Sequence, residues 1–158
     1  YRIDLGAPQS LRNLSYSRGS DVQPAWSPDD TQIAYVSNRE ANQRLYLVAP
    51  DGSNLREITT DTTVVLDLAW SPDGTKLAYV NLLDGFHHLH IVDVADGYRI
   101  SPPLIVTQLD VDSTLQWSPE GERVAFSTIS GEIYAVNLDG SNLHRLISGF
   151  GRENLFIP

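Results

Sequence analysis

Trp70-Ser71-Pro72-Asp73-Gly74, followed by Lys76-Leu77-Ala78-Tyr79-Val80, is the stretch that decides the fold, because it recurs. Trp26-Ser27-Pro28-Asp29-Asp30 and Trp117-Ser118-Pro119-Glu120-Gly121 repeat its opening, with the three tryptophans 44 and 47 residues apart. Each copy leads into a short apolar run, namely Ile33-Ala34-Tyr35-Val36, Leu77-Ala78-Tyr79-Val80 or Val124-Ala125-Phe126. Such runs are too brief for helices and carry the β-branched and aromatic residues that suit strands. A second run follows, Leu45-Tyr46-Leu47-Val48, Leu89-His90-Ile91-Val92 or Ile133-Tyr134-Ala135-Val136, and then an Asp-Gly pair at 51–52, 96–97 or 139–140. Asp-Gly between apolar runs signals a hairpin. Closing segments such as Leu55-Arg56-Glu57-Ile58 and Leu143-His144-Arg145-Leu146 bring each unit to four strands.

The turn chemistry points the same way. Ser-Pro-Asp-Gly places Ser, Pro and Gly at the first, second and fourth positions of a type I turn, where Pro presets φ and the hydroxyl can bond back to the backbone. Trp26, Trp70 and Trp117, with Pro28, Pro72 and Pro119, are read as the structural blade motif. Each Trp is expected to end an inner strand and bury its indole between neighbouring sheets.

Four antiparallel strands recurring at this period, without helical periodicity, predict an all-β chain built of β-propeller blades. The order of W-S-P-D-G, an I-A-Y strand, an I-Y-x-V strand and D-G-S-N-L resembles the TolB-like propeller repeat family over nearly the whole chain. Asp30 departs from it by replacing the turn glycine, and Ala95-Asp96-Gly97-Tyr98 belongs to a shortened connection. Residues 1–14 overlay 45–58 at the same offset of 44. The expected organisation is therefore an arc: third and fourth strands of a partial blade at 1–20, complete blades at 21–60, 61–101 and 102–148, and a further first strand at 149–158. Met is absent, so Tyr1 is not a translation start, and a processed product or an excised piece of a longer protein is expected. Open blade edges are aggregation hazards. The remainder of a parent chain or a second copy is expected to cover them.

Composition narrows the function. The 158 residues are 41% apolar and 20% charged, enough to fold, and the net charge is −9 with Lys76 as the one lysine. That balance argues against nucleic acid. No apolar run of 18 residues occurs, so membrane insertion is not expected. Absence of Cys excludes disulfides and thiolate chemistry. No Gly is followed two residues later by Ser, which excludes the nucleophile elbow of serine hydrolases, and Lys76 lacks the glycines of a phosphate loop. His87-His88-Leu89-His90 is the one histidine cluster; on a strand His88 and His90 share a side, as a two-imidazole metal site would need. Yet His90 occupies the slot of Tyr46 and Tyr134, and His87 and His88 fall at a hairpin tip, so neither metal nor cofactor is expected. Asp110 and Asp112 share a side but are too few for calcium.

Loop length locates a candidate face. From the fourth strand to the next Trp the step grows from 12 residues after Ile58 to 17 after Ile100, and the second-to-third-strand connection shortens in the last blade. Both connections lie on one end of a blade, and binding residues gather on variable loops held by a rigid scaffold. The candidate face comprises 16–21, 38–43, 60–65, 82–88 and 102–112, with Tyr16, Arg39, Phe86, His87, His88, Leu109, Asp110 and Asp112 as partner-binding residues. Leu82, Leu83 and Phe86, with Leu104, Ile105, Val106 and Leu109, predict an apolar patch rimmed by Asp84, Asp110 and Asp112. The family resemblance implies a noncatalytic scaffold that binds a protein or peptide in a periplasmic or other extracytoplasmic setting. Two other readings fit the same blades: a substrate-gating propeller of a prolyl oligopeptidase-type peptidase, and a sensory domain of a regulatory protein.

Overall fold

The computed structural model describes residues 2–4, 7–39, 43–59, 64–95, 104–105 and 111–148, with the backbone alone described for 2–4, 7–12, 104–105 and 111–113. The chain forms two compact units, residues 1–65 and 66–158. In the first, strands β1 (Arg2–Asp4) and β2 (Ala7–Arg12) form an antiparallel pair. A four-stranded sheet follows in sequence order: β3 (Asp21–Trp26), β4 (Ile33–Ser37), β5 (Arg44–Val48) and β6 (Arg56–Glu57). The second sheet is formed by β7 (Val64–Trp70), β8 (Lys76–Leu83), β9 (Phe86–Asp93) and β10 (Leu104–Ile105). The third is formed by β11 (Val111–Trp117), β12 (Arg123–Thr128), β13 (Ile133–Asn137) and β14 (His144–Ile147). Every strand pairing among the described residues is antiparallel, so the four-stranded blades expected from the repeat are present.

The Ser-Pro turn is built alike in all three sheets. In the second, Ser71 N–H donates to the Lys76 carbonyl at 2.9 Å, and Gly74 N–H returns to the Ser71 carbonyl at 2.9 Å. Ser71 Oγ accepts from Lys76 N–H and donates to Asp73 Oδ1 at 2.6 Å. The same serine and aspartate bonds recur at Ser27 and Asp29. Held by Ser71 and Thr75, the Asp73 carboxyl is lowered to about 2. Gly74 and Gly121 both take φ of 71°, the left-handed region, and Asp30 is held at 60° in the same place. Aspartate tolerates that conformation better than most side chains, which is how the first turn survives without its glycine.

Alternation along the strands sets the core. In the second unit Ala78, Val80, Leu89 and Ile91 of one sheet pack with Leu115, Trp117, Val124, Phe126 and Val136 of the next. Two polar bonds join the inner strands: Trp117 Nε1–H donates to the Ala69 carbonyl at 3.0 Å, and Leu115 N–H donates to Asp67 Oδ2 at 2.7 Å. In the first unit Leu14, Ile33, Tyr35, Tyr46 and Val48 form their own cluster.

Two expectations are corrected. The tryptophans are not buried alike: Trp117 is 5% exposed, Trp70 is half-buried, and Trp26 is 49% exposed. Against the first sheet's face the described residues of this unit place Leu14, which packs with Ile33, Tyr35, Tyr46 and Val48. The described fourth strand of the second sheet is β10 at Leu104–Ile105, past the expected Ile100, which lies outside the described residues. Leu104 pairs with Leu89, the counterpart of Leu45, whose carbonyl accepts from Ile58 N–H. From Leu104 the step to Trp117 is 13 residues against 12 from Ile58 to Trp70, so the apparent loop expansion disappears. The extra residues instead separate β9 from β10, at the opposite end of the blade. Residues 96–103 and the proposed first strand at 149–158 lie outside the described residues.

Trp117→Ala should cost about 3–5 kcal/mol of stability, the range for truncating a large buried aromatic. Trp26→Ala should cost less than about 1 kcal/mol, as at exposed positions. Urea unfolding followed by circular dichroism compares the two; equal costs would contradict the burial described here.

Candidate functional site

The candidate face is dominated by one feature, the hairpin of β8 and β9. Asn81 pairs with His88 as Ser37 pairs with Arg44 in the first sheet, but here the ladder continues through Leu82–His87 and Leu83–Phe86. Both strands have 8 residues, against 5 or 6 for the central strands of the other sheets. Asp84 and Gly85 close the arm with φ of 53° and 81°. Two successive positive values make the type I′ turn, whose twist matches a two-residue hairpin. Leu82, Leu83 and Phe86 are all exposed on this arm, Phe86 at 48%. Ile129, at the corresponding tip between β12 and β13, is 70% exposed; its isolation among polar neighbours gave no sequence signal.

The remaining sequence-predicted residues are each described within their own sheet or loop. Tyr16 is exposed in the first unit with φ of 49°. Arg39 is held by its own sheet: its guanidinium donates to Tyr35 Oη at 2.6 Å and Ser37 Oγ at 3.1 Å and stacks 4.2 Å from the centre of the Tyr46 ring. His87 is half-buried. His88 is not at a hairpin tip; it is buried inside β9. Leu104 and Ile105 are strand residues rather than loop residues. Val106, Leu109 and Asp110 lie outside the described residues, and for Asp112 only its place in β11 is described.

Beneath the arm lies a buried polar stack. His90 stacks on Tyr79 with ring centres 4.5 Å apart, and His88 follows at 6.1 Å. His90 Nε2 bonds Asn81 Oδ1 at 3.0 Å, so this nitrogen carries the proton and Nδ1 is left as a bare lone pair. His88 Nδ1, His90 Nδ1 and Tyr79 Oη are buried without hydrogen-bond partners among the described residues. Burial, reinforced by His88, lowers His90 to about 4, and burial pushes Tyr79 up. Parallel imidazoles whose centres are this far apart do not converge on one ion. Among the described residues no group of three His, Cys, Asp or Glu is placed to hold a metal.

Because the folded-state value of His90 lies below its ordinary 6.5, the unfolded chain binds the proton first as pH falls. Stability is therefore full above about 6.5 and declines toward pH 4, by on the order of 3 kcal/mol. His90→Tyr installs the residue of the sister sheets and should flatten that decline. Thermal unfolding across pH 4–7 checks this, and an unchanged pH slope would refute it.

No protein-family model matches the chain. A TolB homologue from Chlorobaculum tepidum is 33% identical over 125 residues, covering 77% of this chain and 28% of the relative. The chain thus spans little more than a quarter of that protein. Among solved structures, TolB from Acinetobacter baumannii superposes with a TM-score of 0.71 at 22% identity, covering 88% of this chain and 35% of the other. An oligogalacturonate lyase in complex with manganese gives 0.67 at 21% identity, covering 87% and 39%.

Proposed function

From blades that belong to the TolB-like β-propeller family, we propose that this chain is a noncatalytic scaffold that binds a protein or peptide partner through the hairpin-tip end of its blades. One observation carries the reading. The β8–β9 arm runs two residue pairs past the level at which the first sheet's central hairpin stops and presents Leu82, Leu83 and Phe86 to solvent. Packing within the blade does not call for that extension, and clustered exposed apolar side chains favour a contact surface. Asp84 rims the tip, and with a net charge of −9 the partner that fits is apolar at its centre and basic at its edge.

Catalysis has less support. The lyase likeness indicates that similar blades occur in an enzyme, but fold alone does not carry chemistry. The arm offers aliphatic and aromatic groups, and the buried histidines below it are closed off from substrate. The peptidase-gate and sensory readings have no further observation in their favour.

Phe86→Ala should leave the thermal midpoint within about 2 °C of the parent, as for a surface change of ~0.5 kcal/mol. It should also abolish retention of the proteins that the immobilised parent chain holds. Ile129→Ala should weaken the same retention. A Phe86 variant that melts clearly lower yet retains every protein would make the arm a structural element and overturn the proposal.

A further inference from the structure

Five Asp-Gly pairs punctuate the chain, at 51–52, 73–74, 84–85, 96–97 and 139–140, and all but 96–97 fall within the described residues. The pair has a chemistry of its own, because glycine offers an amide nitrogen unshielded by a Cβ beside the γ-carboxyl of the aspartate. Three pairs are held against it twice over. Gly52, Gly74 and Gly140 donate their N–H to the carbonyls of Ala49, Ser71 and Asn137 at 2.8–2.9 Å. The Asp51, Asp73 and Asp139 carboxylates are gripped by Ser53, by Ser71 and Thr75, and by Ser141. At the tip of the β8–β9 arm both holds are missing. Among the described residues the Asp84 carboxylate and the Gly85 N–H have no hydrogen-bond partner, and both residues are exposed. A Cβ on Gly85 would meet nothing within 4 Å, whereas one on Gly52 would lie 3.5 Å from the Tyr16 ring.

We propose that Asp84–Gly85 is a site of self-modification, where the chain isomerises through a cyclic imide to an isoaspartyl linkage. Gly85 N bonds to Asp84 Cγ, the Cγ–OH bond breaks, and the hydroxyl leaves with the amide proton as water. A second water then opens the imide. Attack at Cγ restores aspartate, while attack at the former main-chain carbonyl carries the chain through the side-chain carbonyl and frees the α-carboxylate. One water is lost and one regained, so composition and charge end unchanged while the main chain is one methylene longer. Backbone geometry favours this tip as well. The imide ring fixes ψ of its aspartate at about −120°, the setting of the first central residue of a type II′ turn, whose φ is about +60°. Asp84 already has φ of 53°, and it is the one aspartate of the four described pairs with a positive value. Turning the 84–85 peptide plane takes type I′ to type II′, and both turns close a two-residue hairpin. The isoaspartyl product fits neither turn, and its extra methylene opens the Leu83–Phe86 closing pair. Resting on the reading of the arm as a contact surface, conversion displaces Phe86 and releases a bound partner.

Ageing the folded full chain in mildly acidic buffer, followed by digestion with endoproteinase Asp-N and mass spectrometry, tests the chemistry. That protease cuts before aspartate and not before isoaspartate, and the imide is lighter by one water. Isoaspartate should accumulate at residue 84 about tenfold or more faster than at 51, 73 or 139, each of which must first break two or more hydrogen bonds. In guanidinium chloride, where the fold is gone, the four rates should converge. Equal rates in the folded chain would overturn the proposal. A contrast that persists in denaturant would overturn it too, since neighbouring residues rather than the turn would then set the rate. The isoaspartyl chain, separated chromatographically and shown to be folded by circular dichroism, should lose retention of the proteins that the parent holds. Full retention by it would overturn the release of the partner. Retention untouched by Phe86→Ala would instead overturn the contact reading and leave the mass measurement standing.

Discussion

Everything in the second unit hangs on the junction between the inner strands β7 and β11. Main-chain bonding within a blade is complete inside its own ladder, so nothing in a ladder binds one sheet to the next. That task falls to side chains. Trp117 provides a large apolar body and one donor, which finds the Ala69 carbonyl, while Asp67 reaches across to the Leu115 N–H. Burial raises the Asp67 carboxyl, and the Leu115 and Leu68 amides offset this by bonding the charged form. The apolar cluster supplies most of the attraction, and the two polar bonds fix register, because a shift of one residue would leave an indole N–H and a carboxylate buried without partners.

The Ser-Pro-Asp-Gly turn keeps that junction in place. It follows the Trp directly, so any slack in the turn would be felt as a displacement of the indole. Ser71 meets both main-chain groups of Lys76, the carbonyl with its amide and the N–H with its hydroxyl, and holds Asp73, and Asp73 in turn holds Thr75. Gly121 sits against Pro72, with a hypothetical Cβ 3.7 Å from Pro72 Cδ, so the turns of adjacent blades also touch. Rigidity at this end is matched by variation at the other, where the β8–β9 ladder alone runs on to Asp84 and Gly85. A scaffold with one invariant end and one variable end is suited to recognition, since the variable end changes without disturbing the inner-strand junction.

The histidine stack shows how one sheet departs from the repeat without breaking it. His90 replaces a tyrosine found in both sister sheets and keeps the aromatic stacking on the β8 neighbour, as Tyr46 does on Tyr35 and Tyr134 on Phe126. The substitution preserves shape and introduces a titratable group, which burial then holds neutral. The sheet thereby gains a sensitivity to acid that its sisters lack.

The amino-acid sequence by itself determined the blade: the Trp-Ser-Pro repeat, the strand pairs and the turns are local patterns, written in neighbouring residues and therefore legible. It also placed the Asp84-Gly85 turn and the apolar tip of the arm, since both depend on a few consecutive positions. It did not determine the fourth strand of the second sheet, because Leu104 and Ile105 become a strand only by pairing with Leu89 and His88 across an intervening connection. Nor did it determine which tryptophan is buried. Trp26 and Trp117 sit in nearly identical local sequence, and what differs is their surroundings: Trp117 has Ala78, Val80, Leu89 and Ile91 packed in its cluster, while Trp26 stays 49% exposed. Arg39 and His88 read as candidates for recognition on position alone, and the tertiary structure turned both inward, one onto Tyr46 and the other into the β9 stack. Burial is a property of what lies across the gap, and a repeat that specifies each blade alike carries no record of which blade stands beside it.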